Sequence, residues 1–180
     1  MNLPNKITLF RFCMIPVFAV VFLLRQPWSD LTALIIFLVA AFSDFLDGYL
    51  ARKNNMVTDF GKLMDPLADK MLVSTALICF VGIRAEFPAW CAIIIIAREF
   101  IISGFRQIAA EKHVIIMASW WGKIKTVVQM IMCVLFIFTI DAVWYSYARL
   151  VFMWLAAALT IISLADYIIK NRDVIDTSNL

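Results

Sequence analysis

The chain has 180 residues, of which 64% are hydrophobic and 16% charged, and its net charge is +3. A soluble domain is usually about half apolar and about one quarter charged, so this composition excludes an ordinary soluble protein and indicates a membrane protein. The small positive excess is scattered along the chain. It therefore argues against nucleic acid as a partner and favours anionic membrane lipids instead.

The apolar segments predict six membrane-spanning helices, since one crossing takes about 20 apolar residues. Residues 2–24 begin with polar side chains and turn apolar from residue 12, which predicts a short interfacial helix followed by span one. The other spans are predicted at residues 31–52, 61–83, 89–109, 120–140 and 143–169. We therefore predict an all-α integral membrane protein, a six-transmembrane-helix bundle with one domain over residues 1–180.

Basic residues in the short loops indicate the orientation, because they remain on the cytoplasmic side. Eleven lie near one set of helix ends and three near the other. We expect a multi-pass protein of the cytoplasmic membrane, with both termini and the connector at residues 53–60 facing the cytoplasm. The eleven are Lys6, Arg11, Arg52, Lys53, Lys62, Arg106, Lys112, Lys123, Lys125, Lys170 and Arg172, and the three are Arg25, Arg84 and Arg149.

Four aspartates lie at the ends of two apolar segments that this connector joins. Asp44 and Asp47 are three residues apart, and Asp65 and Asp69 are four apart, so each pair shares one helical face. Ionised carboxylates at membrane depth are costly unless something compensates them. Two antiparallel helices bring all four to a similar depth. Such an oxygen-rich set suits Mg²⁺ or Mn²⁺, and four carboxylates favour two ions, which can clamp a phosphoryl group in transfer.

Small and basic residues accompany these acids. Gly48 and Ala51 share the helical face of the first acid pair and leave space beside it. Arg52 offers a bidentate fork that suits phosphate. The alternative is that the acids are helix-end charges paired with nearby basic residues. We prefer that alternative only for Asp59, which stands alone in the connector.

A second set of charged residues points to an anionic small molecule. Arg98 and Arg106 are eight residues apart in span four, about 80° around a helix, so one cavity can contain both. Lys123 and Lys125 are about 200° apart, so both reach that cavity only if the start of their helix is distorted. Lys123 is the slightly stronger candidate. Glu99 either orients its neighbour Arg98 or pairs with a lysine, and we leave it outside the site. The alternative for the basic residues is contact with anionic headgroups.

The segment 44–69 resembles the signature of the CDP-alcohol phosphotransferase family, D-x2-D-G-x2-A-R-x8-G-x3-D-x3-D. The resemblance implies six transmembrane helices, commonly a homodimer, and a CDP-linked lipid or alcohol as substrate. It also implies two divalent metal ions held by the four aspartates, with Asp69 acting in addition as the base for the acceptor hydroxyl. Gly48, Ala51, Arg52 and Thr58 are implied to lie near the nucleotide or its phosphates. The matching positions are Asp44, Asp47, Gly48, Ala51, Arg52, Gly61, Asp65 and Asp69.

Three further segments are similar to the branch of this family that makes phosphatidylglycerophosphate. They are MNLPNKITLFR at the start, residues 93–106 and residues 121–126. This implies CDP-diacylglycerol as donor, glycerol 3-phosphate as acceptor and CMP as product. Asn5, Thr8 and Arg11 then bind the nucleotide end of the donor, or else only anchor the chain at the interface. The implied acceptor ligands are Arg98, Arg106, Lys123 and Lys125.

Three other interpretations stay open at this point. Another member of the same family uses inositol phosphate, serine or phosphatidylglycerol as acceptor. A divalent-cation transporter also carries aspartate pairs inside the membrane. However, the acids of this chain cluster at one end, and no second polar set lines the other half. A non-catalytic membrane scaffold does not explain eight residues of catalytic type at fixed spacing.

Overall fold

The computed structural model describes the backbone of residues 3–53, 59–111 and 119–171, and the side chains of residues 8–43, 67–68, 70–109 and 119–171. Within these ranges the chain forms six α-helices and no strand, so the predicted all-α class is confirmed there. Each helix begins and ends within a few residues of a predicted span. The helices are α1 (Leu3–Leu23), α2 (Ser29–Lys53), α3 (Asp59–Ile83), α4 (Ala89–Glu111), α5 (Trp120–Ile137) and α6 (Val143–Lys170).

Two of these helices, α5 and α6, are long and apolar enough to cross a membrane. Shorter apolar helical segments occupy Thr8–Leu23, Ser29–Ser43 and Lys70–Ile83 in the part of the chain that was searched. The count of six spans therefore stays a prediction.

The N-terminal segment forms one helix where two were expected. α1 runs through Pro16 without a break, and one buried stripe with spacings of three and four residues follows its length. The polar start and the apolar remainder share this inward face, so they pack as a single rod, and the separate interfacial helix is not formed. The buried residues of the stripe are Thr8, Arg11, Ile15, Phe18 and Phe22.

The chain divides into two compact units, one with residues 1–85 and 136–140 and the other with residues 86–135 and 141–180. In the first unit, α1 packs against α2 and α3, and α2 packs against α3. Four phenylalanine rings meet in its core, with centroids 5.8 Å apart for Phe18–Phe22, Phe18–Phe37 and Phe22–Phe80. Fully buried alanines such as Ala33 let the helices approach closely around these rings.

Arg84, directly after α3, closes the first unit at one end. Its Nη2 donates to Asp30 Oδ2 at 2.7 Å and to the Ile137 carbonyl at 2.8 Å, and its Nε donates to the Phe136 carbonyl at 2.9 Å. The last carbonyls of a helix have no partner within the helix. Arg84 supplies those partners for α5, which explains why α5 ends at Ile137 and not at the predicted residue 140.

The second unit is built on α4 and α6, which pack against each other. Trp90 and Trp154 join these two helices with ring centroids 5.0 Å apart. Arg149 of α6 pairs with Glu86 Oε1 at 2.7 Å. Arg98 and Glu99 lie further along α4, and Ser163 lies further along α6.

Candidate active site

The four aspartates lie on α2 and α3, in the first unit, with their side chains outside the described residues. The buried stripe of α2 consists of Ala33, Phe37 and Ala40, and its spacing continued along the helix reaches positions 44, 47 and 51. The buried stripe of α3 includes Ala68 and Leu72, and the same register contains positions 65 and 69. All four acid positions are therefore in line with the faces that pack inside the first unit.

These positions fit a divalent metal ion by the chemistry of their side chains, because carboxylates are the ligands that Mg²⁺ and Mn²⁺ take in proteins. Helices α2 and α3 pack against each other, and each carries two of the four acid positions. In the part of the chain with described side chains, no group of three or more His, Cys, Asp or Glu residues forms a rival metal site.

The other signature residues also belong to this unit. Gly48, Ala51 and Arg52 lie in α2 and Gly61 in α3, and their side chains are outside the described residues, as is the whole of Thr58. The backbone of Asn5 lies in the first turns of α1.

Thr8 and Arg11 turn inward from α1. Their exposed fractions are 1% and 0%. A residue that only anchors a chain at the interface keeps its charged end in the headgroup region. Full burial of Arg11 therefore opposes the anchoring interpretation and is compatible with a binding role.

A buried polar cluster lies in the second unit, and we call Arg98, Glu99, Lys125 and Ser163 the Arg98–Lys125 cluster. Arg98 Nη1 donates to Glu99 Oε1 at 3.0 Å, and Lys125 Nζ donates to the same oxygen. Arg98 Nη2 donates to Ser163 Oγ at 2.5 Å. The exposed fractions of Arg98 and Lys125 are 8% and 1%. Helices α4 and α5 thus bring two buried cations to one carboxylate, and α6 adds the hydroxyl of Ser163.

Gly122 allows α5 to lie close to this cluster. A Cβ at Gly122 would lie 3.4 Å from Arg98 Nη2 and 3.8 Å from Ser163 Oγ. A methyl group would therefore be in direct van der Waals contact with both side chains. Ser119 begins the helix by accepting a hydrogen bond from the Gly122 N–H at 3.2 Å, which caps the first turn of α5.

The charges and hydrogen bonds of the cluster are not fully balanced among the described residues. It carries two positive charges and one negative charge. Arg98 Nε is buried and has no hydrogen-bond partner among the described residues, and a buried unpaired donor is costly. A phosphate placed here would supply acceptor oxygens and the missing negative charge.

The remaining two acceptor candidates lie outside the cluster. Lys123 is exposed and its Nζ lies 4.9 Å from the centroid of the Trp120 ring. Arg106 is exposed, two turns beyond Arg98 on α4. Because α5 is helical from Trp120 onward, Lys123 and Lys125 lie on different sides of it, and Lys125 is the one that contacts Glu99, the partner of Arg98. The sequence slightly favoured Lys123, whereas in the structure Lys125 is the lysine of the cluster; which of the two binds the acceptor stays a prediction.

Sequence reasoning left Glu99 and Ser163 out of the site. The signal for Glu99 was present, because a carboxylate next to an arginine within an apolar helix needs a partner. No such signal marked Ser163, a small polar residue in α6 that is 65 residues from Arg98 in the chain.

Comparison with known proteins supports the resemblance over nearly the whole chain. The CDP-alcohol phosphatidyltransferase family model matches residues 1–162. A CDP-diacylglycerol–glycerol-3-phosphate 3-phosphatidyltransferase of Bacillus subtilis (strain 168) is 40% identical over 193 aligned residues, which cover 99% of this chain and 99% of the relative. The protein of the same name from Escherichia coli (strain K12) is 39% identical over 182 residues, or 97% and 98% of the two chains.

The family is membrane-associated and generally uses divalent metal ions. Both properties agree with the apolar helices and with the aspartates on α2 and α3. The signature positions, the family match and the two relatives all indicate the same family. This chain belongs to the CDP-alcohol phosphatidyltransferase family.

Proposed function

We propose that this protein transfers a phosphatidyl group from CDP-diacylglycerol to sn-glycerol 3-phosphate, giving phosphatidylglycerophosphate and CMP. Both relatives described above carry this activity in their names and align over nearly their full length. The structural observation that carries the proposal is the buried pair of cations, Arg98 and Lys125, joined through one carboxylate. A neutral or zwitterionic acceptor does not need such a pair.

We propose that two divalent ions, Mg²⁺ or Mn²⁺, are held by the four aspartates. The inward register of their positions on α2 and α3 supports this, as does the preference of these ions for carboxylate oxygens. When bound, the ions neutralise charge on the donor's pyrophosphate and stabilise CMP as it departs. The proposed ligands are Asp44, Asp47, Asp65 and Asp69.

The CDP headgroup of the donor is assigned to the same unit of the chain. The burial of Thr8 and Arg11 supports this assignment, since α1 packs against both aspartate-bearing helices. Arg52 supplies a guanidinium for a phosphate oxygen. The full proposed set is Asn5, Thr8, Arg11, Gly48, Ala51, Arg52 and Thr58.

The phosphate of glycerol 3-phosphate is assigned to the Arg98–Lys125 cluster. Arg98 offers a planar fork for two phosphate oxygens, and Lys125 adds a second charge. Arg106 and Lys123 remain proposed acceptor ligands. Their exposure suits attraction of the dianion from water.

The reaction is a displacement at phosphorus. The C1 hydroxyl oxygen of glycerol 3-phosphate attacks the β-phosphorus of the donor, and the bond between that phosphorus and the CMP oxygen breaks. Asp69 accepts the hydroxyl proton. A carboxylate is a weak base toward an alcohol, so the proton leaves late, once the new O–P bond is forming.

We further propose six membrane spans, with the active site and both termini in the cytoplasm, and assembly as a homodimer. Large apolar side chains exposed along α2, α3 and α4 support additional spans, because lipid is the solvent that suits them. Phe42, Ile78 and Ile93 are 62%, 62% and 65% exposed, respectively. The uneven distribution of Lys and Arg supports the orientation.

An acceptor panel tests the proposed activity. The purified protein is incubated with CDP-diacylglycerol, Mg²⁺ or Mn²⁺, and labelled glycerol 3-phosphate, inositol phosphate, serine or phosphatidylglycerol. Thin-layer chromatography of the lipid and CMP release are measured together. We expect label in lipid only with glycerol 3-phosphate, with one CMP per lipid formed.

Two other results of this panel would contradict the proposal. Preference for a different acceptor would place the protein in another branch of the family. Cation flux into liposomes without CMP release would favour a transporter.

A further inference from the structure

We propose that Glu99 is a positioning residue for the acceptor's phosphate. Its carboxylate holds Arg98 and Lys125 in the arrangement that receives the phosphate, and it makes no contact with the substrate itself. This inference rests on the proposed function, because it assumes that the Arg98–Lys125 cluster binds the acceptor.

The geometry at a single oxygen atom carries this role. Arg98 Nη1 and Lys125 Nζ both donate to Oε1 of Glu99, so the two nitrogens converge on one point. Both cations are buried, and like charges at this proximity repel strongly where water is excluded. The carboxylate offsets that repulsion, and removing it would leave two uncompensated buried charges.

Arg98 is held on a second side as well. Ser163 Oγ accepts from Nη2 while Glu99 accepts from Nη1. A guanidinium has five N–H groups, so two are used to fix its plane and the rest remain for a ligand. The buried Nε–H is one of those without a protein partner among the described residues. The guanidinium is therefore oriented before any substrate binds.

Two interpretations of Glu99 predict effects of opposite sign. If Glu99 acted only through its charge, it would repel the acceptor dianion, and its removal would lower the KM for glycerol 3-phosphate. If it positions the two cations, its removal lets them separate and raises that KM. The burial of Lys125, at 1% exposure, favours the second outcome, because an ammonium in this place depends on its carboxylate.

The test compares Glu99→Gln with a matched control in the same unit. Gln keeps the size of the side chain and removes its charge. Glu86→Gln makes the same change at an ion pair with Arg149, away from the cluster. We expect Glu99→Gln to raise the KM for glycerol 3-phosphate by about tenfold or more, equivalent to the loss of one charged contact. Its kcat and its KM for CDP-diacylglycerol should stay close to those of the Glu86→Gln control.

Two further variants separate positioning from general damage. Glu99→Asp retains the charge on a shorter side chain, so its acceptor KM should lie between those of the wild type and Glu99→Gln. In a Lys125→Met background, Glu99→Gln should raise the KM for glycerol 3-phosphate by a much smaller factor than it does in the wild-type background, because Glu99 acts through Lys125. Full additivity of the two changes would overturn this mechanism.

The outcomes distinguish failure of this inference from failure of the proposed function. A wild-type protein that makes no lipid from glycerol 3-phosphate refutes the proposed function. An active wild type in which Glu99→Gln has an unchanged or lowered acceptor KM refutes only the role of Glu99. If Glu99→Gln melts below the assay temperature, Glu99→Asp decides: a raised acceptor KM supports positioning, and a wild-type value overturns it.

Discussion

Replacing Arg84 with Met tests how the first unit is closed at the end of α3. The substitution keeps much of the aliphatic length and removes the guanidinium. It deletes three hydrogen bonds, to the Asp30 carboxylate and to the carbonyls of Phe136 and Ile137. It also removes the contact of the guanidinium carbon with the Phe22 ring, at 5.2 Å from the ring centroid.

The expected loss of stability follows from these contacts. Three hydrogen bonds contribute about 1 kcal/mol each, and the cation–π contact contributes about 0.5–1 kcal/mol. The free energy of unfolding should therefore fall by about 3–4 kcal/mol. For a chain of this size, 1 kcal/mol corresponds to about 2–4 °C, so Tm should fall by about 6–16 °C.

The assay is a thermal melt in detergent, followed by the intrinsic fluorescence of the six Trp residues. Arg25→Met is the matched control, because Arg25 makes one exposed hydrogen bond, from Nη2 to the Gly82 carbonyl at 2.8 Å. We expect this control to lower Tm by at most about 4 °C. The double variant with Asp30→Asn and Arg84→Met should lower Tm by less than the sum of the two single-variant shifts, because the two residues contact each other. Equal shifts for Arg84→Met and Arg25→Met would refute the reasoning.

Three further predictions concern catalysis. Asp69→Asn should abolish CMP release while sparing most of the binding of CDP-diacylglycerol, because the amide cannot accept the proton; wild-type turnover in this variant would remove Asp69 as the base. Arg106→Ala should raise the KM for glycerol 3-phosphate by about tenfold with little change in kcat, and an unchanged KM would exclude Arg106 from the acceptor site. Chelation with EDTA should stop lipid synthesis measured by thin-layer chromatography, and added Mg²⁺ or Mn²⁺ should restore it. Undiminished synthesis after thorough chelation would contradict the metal site.

The local sequence pattern was enough to predict the helices and to place the acid pairs on two helical faces. Apolar runs separated by Pro, Gly and charged residues indicated six spans, and the bounds of these spans lie within a few residues of the six helices. The spacing of Asp44 with Asp47, and of Asp65 with Asp69, indicated two acid pairs on two helical faces. The buried stripes of α2 and α3 run in register with those positions. Hydrophobic periodicity and residue spacing involve only residues that are close together in the chain, within a few helical turns. They can therefore be recognised from the sequence alone.

The errors occurred where an element depends on a distant partner. The break predicted near the start of α1 is absent because one inward stripe, from Thr8 to Phe22, packs within the first unit. The end of α5 lies at Ile137 because Arg84, more than 50 residues earlier, binds its last carbonyls. Neither contact can be inferred from the hydropathy of the segment itself.

By itself, the sequence determined that this is an apolar helical protein, that it carries the aspartate signature of its family, and that Arg98 is a candidate for binding an anion. Only the tertiary structure decided that Lys125, and not Lys123, joins Arg98, and that Glu99 and Ser163 complete the cluster. The physical reason is that the cluster combines side chains from three helices. The direction in which each helix presents its polar residues depends on how those helices pack together.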